Sequence, residues 1–295
     1  MLPVLQHGRD VTFLVRAGRA AELARHGLVI HSPTGNAELA APPTVLASEL
    51  SGPYDLVVIT CKAYGLEQAL ADMAPAVGPQ TAILPILNGM RQLDLLDARF
   101  GADRVLGGQC VIAATLGNEG SIEHLNNMHS LTFGERDGRS TERVQRITQA
   151  FSDAGFDSRP RANVLQEMWN KWMFLAALAG ITCLMRGSVG AIAAAPGGTA
   201  AALRLLDECR AVAERAGHAP SPETLQRARG VLTEPGSMLT ASMLRDLQHG
   251  YPIEADHIVG DMLARAAEQG VEHSLLAIVY AHLKVYEAGR QSPAA

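Results

Sequence analysis

A few polar residues stand at positions where their types could do chemistry. Lys62 and Asn88 each directly follow an apolar run, DLVVITC (Asp55–Cys61) and TAILPIL (Thr81–Leu87). Such runs read as strands covered on both faces in a parallel sheet. In open α/β sheets, ligands sit beyond the carboxyl ends of the strands. Asn88-Gly89 is equally a turn pair. Lys171 lies near the start of WNKWMFLAALAGITCL, after which a dozen residues carry no charge. A helix apolar all round is a buried helix. A lysine at its mouth is partly desolvated, which lowers its pKa and suits it to donating a proton near neutral pH; it could also snorkel to the surface. Glu254 falls in the first turn of a helix opened by Pro252, where the helix dipole alone favours an acid. Ser242 and Asp246, four apart, share one helix face, as ordinary surface residues also do.

The first half of the chain must position Lys62 and Asn88, and it alternates strands with helices. GRDVTFLVR (Gly8–Arg16) reads as a turn, a strand and the residue beyond it, and RAAELARHG as a helix closed by Gly27. In a dinucleotide-binding βαβ unit DVTFLV is the second strand, and an NAD-specific site carries an acid just after it for the ribose 2′-hydroxyl. Arg16 would instead pair with a 2′-phosphate through its planar fork. With Arg19 nearby, NADP is the expected cofactor, although two solvated arginines at a loop would look the same. A first strand, a G-x-G-x-x-G turn and most of a helix should come before this segment. Only MLPVLQH does, which fits the last turns of that helix. The expectation is a truncated Rossmann-type, doubly wound domain without its central first strand and phosphate loop, leaving strand edges open.

Further along, LVIHS and AELAA flank the Pro33–Asn36 turn as a hairpin. YGLEQALADMAPAV and RQLDLLDARFG read as helices, and RVLGGQCVIAATL as a strand. SIEHL and HSLTFGE, on either side of Asn126-Asn127, suggest a second hairpin, followed by a helix over 141–154. From Arg161 onward no strand is evident. Helices are expected over about 163–185, 197–216, 222–232, 240–249, 252–269 and 273–288, and Ser221-Pro222-Glu223 makes a good helix start. The expected domains are residues 1–158, nucleotide-binding, and 159–295, all-helical.

At 295 residues and 47% hydrophobic, the chain can build two full cores. A net charge of −5 without any basic run gives nucleic-acid binding no electrostatic support. Cys61, Cys110, Cys183 and Cys209 are scattered, with neither metal-site nor disulfide spacing. No secretory signal is evident. The longest apolar stretch, Trp172 to Met185, is shorter than the ~20 residues of a membrane span. A cytoplasmic protein is expected. The Ala-rich helices over 197–216 and 273–288 are candidate homodimer faces, but such helices pack on their own core as readily.

The ordered set matters more than any one residue. Arg16 at the second strand end, I-T-C-K-A, L-N-G-M, W-x-K, and S-M-L-x-D followed by E-x-D-x-I-x-G together resemble the ketopantoate reductase (2-dehydropantoate 2-reductase) family, from about Arg9 to the last helix. The resemblance implies a Rossmann domain joined to a helical domain and NADPH-dependent reduction of a 2-oxo acid. It implies that Arg16 meets the cofactor 2′-phosphate, Lys62 lies close to the cofactor, and Asn88 sits by the nicotinamide and substrate. Lys171 would be the general acid, Glu254 would hold and polarise the site, and Ser242 would bind the substrate carboxylate region. Family enzymes acting on ketopantoate usually carry asparagines where this chain has Leu175, Ala179 and Leu239. Sites built to hydrogen-bond a hydroxyl discriminate strongly through that bond, so a pocket with Leu175 and Ala179 should prefer a more apolar oxo acid. A different reading is a non-catalytic, truncated relative that has lost its cofactor site and persists as a helical dimer.

Overall fold

The computed structural model describes residues 8–152 and 154–291, which fall into two compact units. The first takes in most of the chain up to Val164; the second takes in Lys62–Tyr64, Asn88–Gln92 and the residues from Leu165 onward.

The first unit runs β1 (Phe13–Leu14), α1 (Ala17–His26), β2 (Leu28–His31), β3 (Ala37–Leu39), β4 (Thr44–Val45), β5 (Leu56–Ile59), α2 (Leu66–Asp72), β6 (Ala82–Pro85), α3 (Arg91–Phe100), β7 (Gly107–Leu116), β8 (Ile122–Gly134), α4 (Glu142–Phe151) and β9 (Asp157–Pro160). β1 pairs in parallel with β4, and β5 with β6, while a parallel bridge from Ile83 to Val105 extends the second pair. This is Rossmann-type pairing, with a helix or loop crossing between parallel strands. Among the described residues neither β1 nor β5 has a strand on its other side. β1, expected over Asp10–Val15, is a strand only at Phe13–Leu14, tied on one side by Phe13 N–H to Pro43 O and Val15 N–H to Val45 O. The helix turns expected over MLPVLQH lie outside the described residues.

A mixed sheet of order β3-β2-β8-β7, with β9 added on β8, completes the unit. The β2–β3 hairpin forms as expected, but the one expected around Asn126-Asn127 does not. β8 runs unbroken past that pair, and the chain reverses earlier, around Glu119 and Gly120, which have φ of 56° and 77°. Ile112 faces His129 and Ala114 faces His124, so Leu125–Met128 bulge opposite a single residue. The turn chemistry is real, because Asn126 Oδ1 accepts the Met128 N–H at 3.1 Å, but it is absorbed as a bulge. β9 likewise shifts the expected boundary at 158: it pairs with β8, and the unit continues to Val164. Leu84, Leu106, Phe133, Ile147 and Phe151 form the core between sheet and α4.

The second unit is helical: α5 (Val164–Met185), α6 (Val189–Ala194), α7 (Gly198–Arg215), α8 (Pro222–Leu232), α9 (Ser242–Gln248), a π-turn over Asp256–Gly260, α10 (Asp261–Gln269) and α11 (Ser274–Gln291). α6 was not expected; Ser188 caps it by accepting the Ala191 N–H. α5 is the core. A Cβ on Gly180 would come within 2.8 Å of Leu205 on α7 and 3.2 Å of Val279 on α11, so only glycine lets the three helices approach this closely. At 22 residues α5 is long and apolar enough to cross a membrane, yet 67% of its most apolar window is buried against its neighbours, as in a core helix. Cys183 and Cys209 are buried small hydrophobes, and burial pushes the Cys183 thiol up to about 12.

Glu208, 4% exposed on α7, caps α11 from the side by accepting the Leu275 and Leu276 N–H groups at 3.1 and 2.8 Å. Arg204, one turn earlier, bonds Ser274 Oγ at 2.6 Å. Glu208→Ala leaves two helix-start donors unpaired and should cost about 2 kcal/mol. Urea unfolding followed by circular dichroism checks it; an unchanged midpoint would show that the cap is idle.

Candidate active site

The segments just past β5 and β6 pack within the helical unit, which is where Lys62 and Asn88 become useful. Glu254, 8% exposed, accepts the backbone N–H of Ala63 at 2.9 Å and lies 3.4 Å from Lys62 Nζ. Lys62 Nζ also donates to Asp246 Oδ2 at 3.0 Å. A buried carboxylate needs such partners to stay ionised. Burial pulls the Lys62 pKa down, but the charges of Glu254 and Asp246 and their hydrogen bonds outweigh it, leaving the value above an ordinary lysine. Lys62 is thus a fixed positive charge at neutral pH, not a proton donor.

Asn88-Gly89 is a tight turn, with Gly89 at φ 89°. Gln92, fully buried, donates from Nε2 to the Gly89 carbonyl at 2.7 Å, and its Oε1 meets His257 Nε2 at 2.8 Å. A carbonyl only accepts, so the amide orientation is set, and His257 must donate from Nε2. His257 also has a backbone hydrogen bond with Asn88. Burial holds the His257 imidazole below the usual histidine range, with Arg91 pushing the same way against the charge of Glu254.

His257 lies in the π-turn three residues after Glu254. Turns of this kind recur at functional sites because they re-aim side chains. The buried Trp172 indole donates to the Ile258 carbonyl of that turn at 3.0 Å. The neighbour of Trp172 on α5 is Lys171, which is half-buried. The helix bearing Lys171 is therefore bonded, at the next residue, to Ile258, whose own N–H is held by the Glu254 carbonyl.

The structure thus joins Lys62 and Glu254 directly and ties the Asn88 turn to the same segment through Gln92 and His257. Ser242 is exposed at the first position of α9, one turn before Asp246. Leu175 is half-buried, Leu239 is 37% exposed, and Ala179 is closed off at 1%, so a ligand could touch it only if it were uncovered. In the first unit, Arg16 is exposed at the start of α1, and its guanidinium lies 3.7 Å from where a Gly65 Cβ would stand. It forms no ion pair among the described residues. Arg19, expected to act beside it, is occupied by Glu22 and by the Gly120 carbonyl, both at 3.0 Å. Among the described residues no group of three His, Cys, Asp or Glu side chains is placed to hold a metal.

The family model of ketopantoate reductase PanE/ApbA matches residues 2–138, and that of its C-terminal domain matches residues 163–287. The chain belongs to the ketopantoate reductase family. It is 36% identical to the uncharacterized oxidoreductase YkpB of Bacillus subtilis, over 96% of this chain and 93% of that protein. It is 26% identical to a 2-dehydropantoate 2-reductase of Mesorhizobium japonicum, over 85% of this chain and 82% of that one. Among solved structures, a 2-dehydropantoate 2-reductase from Methylococcus capsulatus superposes with a TM-score of 0.86 at 25% identity, covering 99% of this chain and 94% of that one. A D-mandelate dehydrogenase solved with NADH and anilino(oxo)acetate shares the fold, at a TM-score of 0.86 and 18% identity, covering 99% of this chain and 95% of that one. The family's architecture, a Rossmann-like domain followed by a helical one, is the one described above.

Sequence reasoning missed Gln92 and His257 and left Asp246 undecided. A glutamine in a helix and a histidine beside an aspartate give no periodic signal, and their pairing spans 165 residues. A Cβ at Gly89 would come within 2.9 Å of His257 Cδ2 and 3.0 Å of its carbonyl. Gly89→Ala adds that overlap to the strain of a positive φ and should destabilise the protein by about 2 kcal/mol. Thermal unfolding checks this, and a melting temperature equal to wild type would mean that the turn can relax.

Proposed function

We propose that this protein uses NADPH to reduce a 2-oxo acid to the 2-hydroxy acid. The observation that carries the proposal is the gathering of Lys62, Asn88 and Glu254, from three distant parts of the chain, into the unit that bears Lys171. Family membership supports oxidoreductase chemistry, and the residues supply the rest.

NADPH, when bound, supplies the hydride. Arg16 suits its 2′-phosphate: it is exposed, lacks an acidic partner among the described residues, and heads a helix whose first turn carries no acid. Lys62, held charged, would lie near the cofactor, and Asn88 near the nicotinamide and substrate. As the carbonyl carbon becomes bonded to hydrogen, negative charge grows on its oxygen. The Lys171 ammonium stabilises that charge and transfers its proton to the oxygen, giving the hydroxyl. Glu254 holds and polarises this site, and Ser242 binds the carboxylate region of the substrate.

Leu175 and Leu239 favour an apolar substituent over the hydroxylated chain of ketopantoate. A second copy of the chain is the proposed partner in solution: Ile278 and Val285 are 58% and 73% exposed on α11.

Steady-state assays with NADPH should give kcat/KM at least about 10-fold higher for an alkyl- or aryl-substituted 2-oxo acid than for ketopantoate. Faster ketopantoate reduction would overturn the specificity reading. Lys171→Ala should lower kcat by about 100-fold or more. Arg16→Asp should erase any preference for NADPH over NADH in fluorescence titration while leaving NADH affinity close to wild type.

A further inference from the structure

We infer that the buried Gln92–His257 pair is the positioning device that holds the Asn88 turn in register with Glu254. The inference rests on the reductase reading of the site and adds to it two residues that touch none of the reacting groups.

Three links form one chain of contacts. Gln92 Nε2 holds the Gly89 carbonyl at 2.7 Å, Gln92 Oε1 holds His257 Nε2 at 2.8 Å, and His257 stands in the π-turn that follows Glu254. Gln92 is fully buried and His257 is 6% exposed. Polar side chains at such depth make bonds of fixed geometry, and losing one partner strands the other. The glycine at 89 lets the imidazole lie directly against the turn, since any Cβ there would overlap His257. A second tie runs through Glu254 itself, which accepts the Ala63 N–H at 2.9 Å. The loops after β5 and β6 are thus both anchored on one segment, residues 254–257, the first by a carboxylate on a backbone N–H and the second by the Gln92–His257 side-chain bond. Hydride transfer is steep in distance, and a shift of about 1 Å in a positioning residue can cost about 100-fold in rate. Asn88 lies between these anchors, next to Gly89, so its placement depends on the pair.

The test compares wild type with Gln92→Leu, His257→Leu and His257→Gln. Glutamine at 257 can present a neutral N–H near the place of His257 Nε2, so it is the rescuing variant. Each protein is assayed for kcat and KM with NADPH and an aryl-substituted 2-oxo acid, for melting temperature, and for amide hydrogen exchange over residues 87–92. Both leucine variants should lose kcat by about 30- to 100-fold, with the KM for NADPH within about threefold of wild type and faster exchange over 87–92. His257→Gln should recover most of the kcat. Leucine variants with wild-type kcat, a loss that merely follows the melting temperature, or no recovery in His257→Gln would each overturn the inference. If wild type reduces no 2-oxo acid with either nicotinamide nucleotide, the reductase reading falls. The clamp is then judged by exchange alone, and unchanged exchange over 87–92 in Gln92→Leu would overturn it.

Discussion

One carboxylate organises this molecule. Glu254 is almost wholly buried, and a buried charge that lacks partners costs several kcal/mol. Its partners are a backbone N–H at Ala63 and the ammonium of Lys62, both from the loop after β5. Wherever Glu254 goes, that loop must go too. Asp246 takes the second side of Lys62 and so brings α9 into the same cluster. The cation between two carboxylates is what allows two acids to approach each other inside a protein. Next to this cluster stand a π-turn just beyond Glu254, a buried indole bonded to that turn, and the apolar helix that carries Lys171.

Much of this was legible in the sequence, and the reasons differ from residue to residue. Lys62 and Asn88 could be placed because each ends a run of apolar residues, and strand ends are where α/β sheets hold ligands. Lys171 could be singled out as a charge at the mouth of an apolar helix, whereas Glu254 gained its role only from the family resemblance, and the helix expected to open at Pro252 begins at Ala255, just after it. The helical half was read nearly element by element, since caps such as Ser221-Pro222 and glycines such as Gly270 act locally. What could not be read was pairing across distance. Asn126-Asn127 has the composition of a hairpin turn, and only the register of β8 against β7 decides that it is a bulge. β4 and β9 are short strands that exist because a neighbour supplies their hydrogen bonds. Gln92 and His257 are unremarkable until folding places them together. Arg19 carried the signal of a phosphate ligand and spends its guanidinium on Glu22 and Gly120 instead.

Lys284, like Lys62, is held between two carboxylates. Both lysines are partly exposed, and the difference lies in their partners: Lys62 reaches down to a buried carboxylate, Glu254. Lys284 meets Asp256 at 2.9 Å and Glu287 at 2.5 Å, and Asp256 is more than half exposed, so ions and water compete for that pair. Asp256 belongs to the same short segment as Glu254 and His257, yet it faces the other way, towards Tyr280 and Lys284. One turn therefore divides its polar side chains between a structural surface network and the candidate site.

The close approach of three helices at Gly180 has a consequence for how this protein can change over generations. Beyond that glycine, α5 is locked: Ile181, Thr182 and Cys183 are at most 1% exposed, and one added methyl would press on two neighbouring helices at once. Before it, Lys171 and Leu175 are only half-buried. On the turns before Gly180, heritable variation is confined to the half-buried face that carries Leu175, because Trp172, Met173, Ala176 and Ala177 are as deeply buried as the residues beyond it. A single rigid rod thus contains a narrow adaptable face and a face held constant by its packing, and new ligand preferences would have to arise on the first.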